Sequence, residues 1–202
     1  MYAVGHIALG HLAAKITNTT TKQNLNIPLI WTLSILPDLD FLLPGIQHRG
    51  PTHSIILTLL AFTPLLITKK EKTAPYLVAA LTHTLIGDLP TGAGQLLWPL
   101  STKWIQSPIK ICMTNPLEAN IELLLFITLI ATMITSKDYK HLLNSDGKNA
   151  LLLIPLITIL LPTTYGYPLP IPKTLIIPHI TLLGIAALST LNTLRHQITN
   201  LR

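Results

Sequence analysis

Long apolar runs, interrupted by prolines, threonines and short clusters of charge, set the pattern of this 202-residue chain. Their limits predict helices near 28–45, 54–68, 74–90, 117–136, 149–167 and 174–193. Three of these approach the ~20 residues needed to cross a hydrocarbon core, and the others are shorter or broken by polar groups. Prolines and threonines inside such runs are tolerated where neighbouring helices re-satisfy the freed backbone groups. The Met1–Ala14 stretch is also apolar but carries His6 and His11. Without a basic leader or a small-residue cleavage site it is expected as a retained short helix rather than a signal peptide. The expectation is an all-α, polytopic membrane bundle of about six transmembrane helices plus a short N-terminal one. Residues 1–202 would form a single domain, as the length allows.

Composition strengthens that picture. Hydrophobic residues make up 49% of the chain and charged residues 11%, against about 25% charge in an average soluble domain. Mean hydropathy is +0.52. A soluble protein so poor in charge would lack polar residues to cover its surface. The single cysteine, Cys112, rules out an intrachain disulfide framework and a cysteine-based zinc cluster. The net charge of +6 could suggest nucleic acid, but the basic residues are scattered at the ends of apolar runs rather than gathered with aromatics. No nucleic-acid partner is expected, and a membrane surface explains the charge better.

The basic residues also predict orientation. With alternating spans, Lys15, Lys22, Lys69, Lys70, Lys72, Lys137, Lys140, Lys148, Arg195 and Arg202 fall on one side, and Arg49, Lys103, Lys110 and Lys173 on the other. The positive-inside rule makes the first side cytoplasmic. Asp38, Asp40, His48, His53, Asp88 and Glu118 then share the extracytoplasmic side, joined by His6 if the first helix starts outside. Trp31, Trp98 and Trp104 read as interface anchors.

Ionisable groups at the mouth of an apolar segment are costly, so a functional reading is their default. His48-Arg49-Gly50-Pro51-Thr52-His53-Ser54 places two imidazoles, a guanidinium and two hydroxyls there. His53 could instead be a polar residue at a helix start after Pro51. Asp38 and Asp40 could form a turn beside Pro37; on a regular helix they would diverge by about 200°, whereas in an extended segment both could face one ion. His83 lies within an apolar run, where a ligand role is favoured over a satisfied structural histidine. Asp88, five residues on, is about 140° round an α-helix from His83, so the helix must bulge or end before Pro90 for both to reach one ion. Glu118 follows Asn115 at the spacing of an N-cap pair and has a structural reading as strong as its chemical one. Glu122, one turn deeper, either bonds Glu118 or backs the site. His11, His141, His196 and His179 read as off-face, surface or packing residues. Histidine and carboxylate converging from separate segments is the ligand chemistry of a divalent metal.

Gly5-His6, Leu36-Pro37-Asp38-Leu39-Asp40, His48-Arg49-Gly50-Pro51-Thr52-His53-Ser54 and His83…Asp88-Leu89-Pro90-Thr91…Gly94…Leu96-Leu97-Trp98-Pro99 resemble, in order, the signature blocks of the YdjM-like family of membrane-bound metal-dependent hydrolases. The blocks cover 5–99; Leu117-Glu118 is similar to a weaker downstream block, and 117–193 is only generically apolar. The resemblance implies a metal-dependent hydrolase of the inner membrane. It points to His6, Asp38, Asp40, His48, His53, His83 and Asp88 as ligand or site positions. The family more often spaces its later histidine and aspartate by four residues than by the five found here.

The motifs absent from the chain narrow the chemistry. There is no His-Glu-x-x-His, no phosphate loop of the Gly-x-x-x-x-Gly-Lys type, and no Gly-x-Ser-x-Gly elbow around Ser54,. The leading expectation is a membrane enzyme that hydrolyses a phosphoester of a lipid or lipid-linked substrate with one or two divalent ions, zinc first by ligand type. In that reading His6, Asp38, His48, His53, His83 and Asp88 hold metal, Arg49 binds phosphate, and Asp40 serves as base. Thr52, Ser54, Thr91 and Glu118 orient the ligands. The rival is a metal or proton transporter using the same His/Asp cluster. A purely structural metal site ranks last, since such sites are usually closed and commonly include cysteine.

Overall fold

A computed structural model describes residues 1–109, 111–112, 115–144 and 146–200. Two of the basic residues counted above, Lys110 and Arg202, lie outside the described residues. The main helices are α1 (Ala3–Thr21), α2 (Ile27–Ile35), α3 (Ile55–Lys69), α4 (Ala74–Thr82), α5 (Pro116–Ser136), the short α6 (Tyr139–Leu143), α7 (Leu153–Tyr165) and α8 (Ile176–Asn200). Local chemistry sets several of their starts. Asn26 accepts from Leu29 N–H with Pro28 in the first turn of α2, Ser54 caps α3 through Leu57 N–H, and Asn115 caps α5 ahead of Pro116, all of which satisfy otherwise orphaned donors.

Among the described residues, three helical stretches are long and apolar enough to cross a membrane: Pro116–Ser136, Gly147–Tyr165 and Lys173–Thr199. Six were expected; the other apolar runs make shorter helices. The run at 28–45 breaks at Ile35, and residues Leu36–Leu42 wind into a 3₁₀ segment around Pro37, where proline removes a donor. The N-terminal helix, in contrast, is not short. It extends to Thr21, 19 residues in all, and forms the axis of the molecule against α2, α4 and α5.

Glu122 makes that position possible. Its carboxylate accepts the N–H of Tyr2 at 2.9 Å and of Gly5 at 3.0 Å, so a buried side chain of α5 caps α1 from outside. Glu122 therefore backs the site indirectly, by fixing the helix that carries His6. Around α1 the core comprises Ile7, Ile27, Ile30, Trp31, Ile35, Leu129 and Ile159 among its fully buried members. Trp31 is thus not an interface anchor: it is fully buried, and its indole donates to His11 Nδ1 at 3.3 Å. Large apolar side chains such as Leu60, Ile127, Ile134, Ile177 and Leu188 face outward, a surface suited to lipid.

Successive long helices run in opposite directions, so the chain has two ends. The near end gathers the start of α1, the segment after α2, residues 89–109 and residues 166–172. At the far end Lys15 pairs with Asp138 at 3.0 Å, with His11 Nε2 3.3 Å from the same carboxylate, and Gln23 donates to the Lys72 carbonyl. Lys15, Lys22, Lys69, Lys70, Lys72, Lys137, Lys140, Lys148 and Arg195 all belong to elements of this far end. Every candidate site residue lies at the near one.

Candidate metal centre

Four donors from three segments converge at the near end: Asp38 from the 3₁₀ turn after α2, His53 from the 3₁₀ turn Pro51–His53, and His83 and Asp88 from the end of α4. His53 Nε2 and His83 Nε2 lie 3.2 Å apart. Asp88 Oδ2 lies 3.0 Å from the first and 3.4 Å from the second; Asp38 Oδ1 lies 3.6 and 3.4 Å from them. Ligand bonds of ~2.0–2.2 Å arranged tetrahedrally put donor atoms about 3.4 Å apart. The five distances match that spacing, so the donor set fits a divalent ion.

The α4 helix makes this possible by changing pitch. Residues His83–Asp88 form a π-turn, with Leu89 N–H bonded to Thr84 O at 3.0 Å. Its wider turn brings residues five apart back onto one side. This is the bulge that the five-residue spacing of His83 and Asp88 demanded, and Pro90 follows directly.

Both imidazoles are held in the orientation a metal requires. His83 Nδ1 bonds the Ser34 carbonyl at 2.8 Å, and His53 Nδ1 faces Asp40 Oδ2 at 3.3 Å and Thr52 Oγ1 at 3.0 Å. With a proton on each Nδ1, each Nε2 offers a lone pair to the centre; partners of this kind fix tautomer and ring angle. Burial disfavours the His53 imidazolium, yet its hydrogen bonds with Asp38, Asp40 and Asp88 outweigh that and raise its pKa well above the usual histidine value. A cation here therefore competes with a proton.

Asp38 and Asp40 part ways. The 3₁₀ segment sends Asp38 to the centre and turns the fully buried Asp40 toward the loop. There Asp40 meets His48 Nδ1 at 2.9 Å and accepts from Arg49 N–H at 3.0 Å and Thr52 Oγ1 at 2.8 Å. Burial alone would raise its pKa, but the bonds with His48 and His53 hold its carboxyl well below the usual carboxylate range. So occupied, Asp40 is an organiser of His53, and the geometry does not place it as a base. Asp40, His48 and His53 do form a second donor triplet. It reuses His53 through the nitrogen already facing Asp40, so it supports the centre rather than offering an independent second one. Replacing Asp40 by Asn is expected to weaken metal affinity by roughly 10–100-fold, read by competition with a chromophoric chelator; unchanged affinity would remove Asp40 from its supporting role.

The remaining expected residues distribute around this centre. His6 stacks on His83 with ring centroids 3.9 Å apart, and its Nε2 lies 3.3 Å from Asp88 Oδ1 and 4.0 Å from Asp38 Oδ2. Among the described residues its Nδ1 has no hydrogen-bond partner, and its Nε2 faces the two carboxylates as an additional donor. His48 is half-exposed at the rim. Arg49, in a left-handed conformation at φ 63°, directs Nη2 to Asp88 Oδ1 at 3.1 Å and Thr91 Oγ1 at 2.8 Å. Ser54 stands apart from the donors: it caps α3 and bonds the carbonyl of Trp98, clamping the 94–98 loop. Glu118 lies 3.4 Å from the Met1 amine rather than against a donor of the centre.

Two supports went unread in the sequence. The Ser34 carbonyl has no side-chain signature at all. The glycines at 87 and 92 do carry a signal, because a side chain at 87 would strike His6 and one at 92 would strike the Arg49 guanidinium. Beside Asp38, His48 and Arg49 opens a cavity of about 320 Å³, walled by Phe41, Thr158 and Pro162 among others.

A family model described as YdjM inner membrane protein matches residues 1–167, which include every donor named above. No curated protein matches the chain, and no solved structure does.

Proposed function

The chain belongs to the YdjM inner membrane protein family, and on that premise we propose that it is a membrane-embedded, metal-dependent hydrolase of phosphoesters. The observation that carries the reading is the pair of imidazoles locked through Nδ1, each turning Nε2 toward two carboxylates. When bound, a divalent ion supplies a Lewis acid for the phosphoryl oxygen and acidifies a water. Zinc is the first choice for this nitrogen and oxygen set, with manganese or iron also compatible.

The chain's own residues supply binding and proton transfer. Arg49 lines the cavity, and its planar fork suits phosphate oxygens. His48 lines the same cavity with Nδ1 held by Asp40, which leaves Nε2 to give a proton to the leaving group or take one from the attacking water. The transporter reading is weaker. Between the two ends lie fully buried Ile7, Ile30, Trp31 and Ile35, and the buried hydroxyls of Thr32 and Ser34 beside them are bonded to carbonyls of their own helix, whereas ion pathways need polar groups open along their length.

Metal analysis of the detergent-purified protein, paired with hydrolysis assays on soluble and lipid phosphoesters, tests the proposal. The expected result is stoichiometric metal and chelator-sensitive turnover; bound metal without hydrolysis across that panel would favour the transporter. Arg49→Lys should keep the metal and lower turnover by roughly 10²–10³, since an ammonium cannot reproduce the two-pronged contact. Undiminished turnover would remove Arg49 from the phosphate.

The far-end cluster of basic residues supports placing the site on the extracytoplasmic side. With Cys112 replaced, a cysteine at Lys70 should react with an impermeant reagent from the cytoplasmic face and one at Gln106 from the opposite face. Both positions are exposed, and labelling of Gln106 from the cytoplasm would invert the orientation.

A further inference from the structure

We propose that the cavity beside the metal centre seats a single aliphatic chain of the substrate, so that the phosphoester cleaved here carries a lipid tail. The inference rests on the phosphoesterase reading for the headgroup, but its own support is separate. The cavity is lined by two chemically distinct sets of residues. One set is Asp38, His48 and Arg49, the groups that would receive a phosphoester. The other includes Ala3, Phe41, Pro162 and Leu169, whose side chains carry no polar group.

Thr158, also on the wall, adds no donor, because its hydroxyl is bonded to the Ile154 and Pro155 carbonyls of its own helix. A volume of about 320 Å³ is at the small end of ligand pockets, which suits one chain rather than two. A wholly polar ligand would leave the apolar wall wet, whereas an aliphatic chain gains from burial against it.

The surroundings explain how such a chain would reach the cavity. Phe41 packs edge-to-face on Tyr167 at 5.8 Å, and the Tyr167 hydroxyl donates to the Phe41 carbonyl at 3.0 Å. Phe41 lines both this cavity and a second one of about 430 Å³, which also includes Tyr167, Leu42, Leu43 and Ile46 and shares His48 and Pro168 with the first. Leu42, Leu43 and Ile46 are exposed apolar side chains, and α7 carries Leu153, Ile157 and Leu160 outward as well. The chain would thus pass from the lipid-facing apolar surface, by way of Phe41 and Tyr167, to the donors.

A dodecyl phosphonate bearing a diazirine at the chain terminus is the probe, because its C–P bond resists hydrolysis. The full-length, metal-loaded protein in nanodiscs is irradiated with it and the adducts mapped by mass spectrometry. Adducts are expected on Phe41, Pro162 or Leu169. Thr158→Trp and Leu169→Trp should each reduce them by at least about tenfold, as expected when a filled cavity has no room for the chain. Leu169 is partly exposed, so its variant is safe to fold if the buried Thr158 variant is not.

Adducts confined to lipid-facing positions such as Leu60, Ile127 and Leu188, and indifferent to the Leu169 variant, would overturn the proposal. Hydrolysis of a small soluble phosphoester by the same sample reports on the catalytic reading alone. Cavity adducts without that hydrolysis would fail the hydrolase and uphold the chain-binding site.

Discussion

Replacing His83 with alanine is expected to empty the metal centre and abolish hydrolysis, a larger loss than the roughly 10–100-fold typical of a supporting residue. The argument is geometric. His83 reaches the centre through one nitrogen while the other is fixed by the Ser34 carbonyl; the stacked His6 faces the other carboxylate oxygens, Asp88 Oδ1 and Asp38 Oδ2, so it does not duplicate that nitrogen. Its removal also leaves Asp38 and Asp88 facing each other with one fewer imidazole between them, and two buried carboxylates without that partner repel. Asp38→Ala should behave alike.

His179 supplies the control. It is equally buried, on α8, with Nδ1 bonded to the Leu175 carbonyl and, among the described residues, no carboxylate paired with it. His179→Ala should keep full metal whatever it does to thermal stability. Elemental analysis of the purified variants decides the matter: full metal in His83→Ala, or equal loss in His179→Ala, would defeat the assignment.

The donor types and their common end could be read from the residues, because histidine and aspartate beside apolar runs have few cheap explanations. The bulge between His83 and Asp88 was legible too, since a five-residue spacing followed by Pro90 leaves a regular helix no way to aim both inward. The cap at Asn115 followed from local rules. What escaped is what depends on partners remote in sequence. Whether Asp38 and Asp40 converge depends on the backbone after Ile35: an extended strand would have aimed both the same way, and the 3₁₀ turn assigned one to the cluster with His53, His83 and Asp88 and the other to His48, His53 and Thr52. Glu122 reads from the sequence as a partner of Glu118 or a support of the site, and the support it gives is to cap a helix more than a hundred residues earlier. Trp31 looked like an interface anchor until α1 covered it. The apolar cavity wall comes partly from α7, whose sequence is generic; only its position against the 3₁₀ turn gives it a role.

His48→Ala separates the two roles open to that residue, and its expected effect is a fall of roughly 10²–10⁴ in turnover with metal retained. The sequence pattern grouped His48 with the metal ligands. In the structure the four-donor centre is complete without it, and His48 instead sits half-exposed at the cavity, tied to Asp40 at 2.9 Å. A truncation there removes a hydrogen bond from Asp40, but Asp40 keeps Arg49 N–H, Thr52 and His53 as partners, so the clamp on His53 persists. A general acid or base lost in this way should also remove one limb of the pH–rate profile, which a damaged ligand set would not do selectively. Substrates with a more acidic leaving group need less protonation and should lose less turnover, if His48 acts as the acid. Loss of metal in step with loss of turnover would make His48 a ligand after all, and full activity would make it neither.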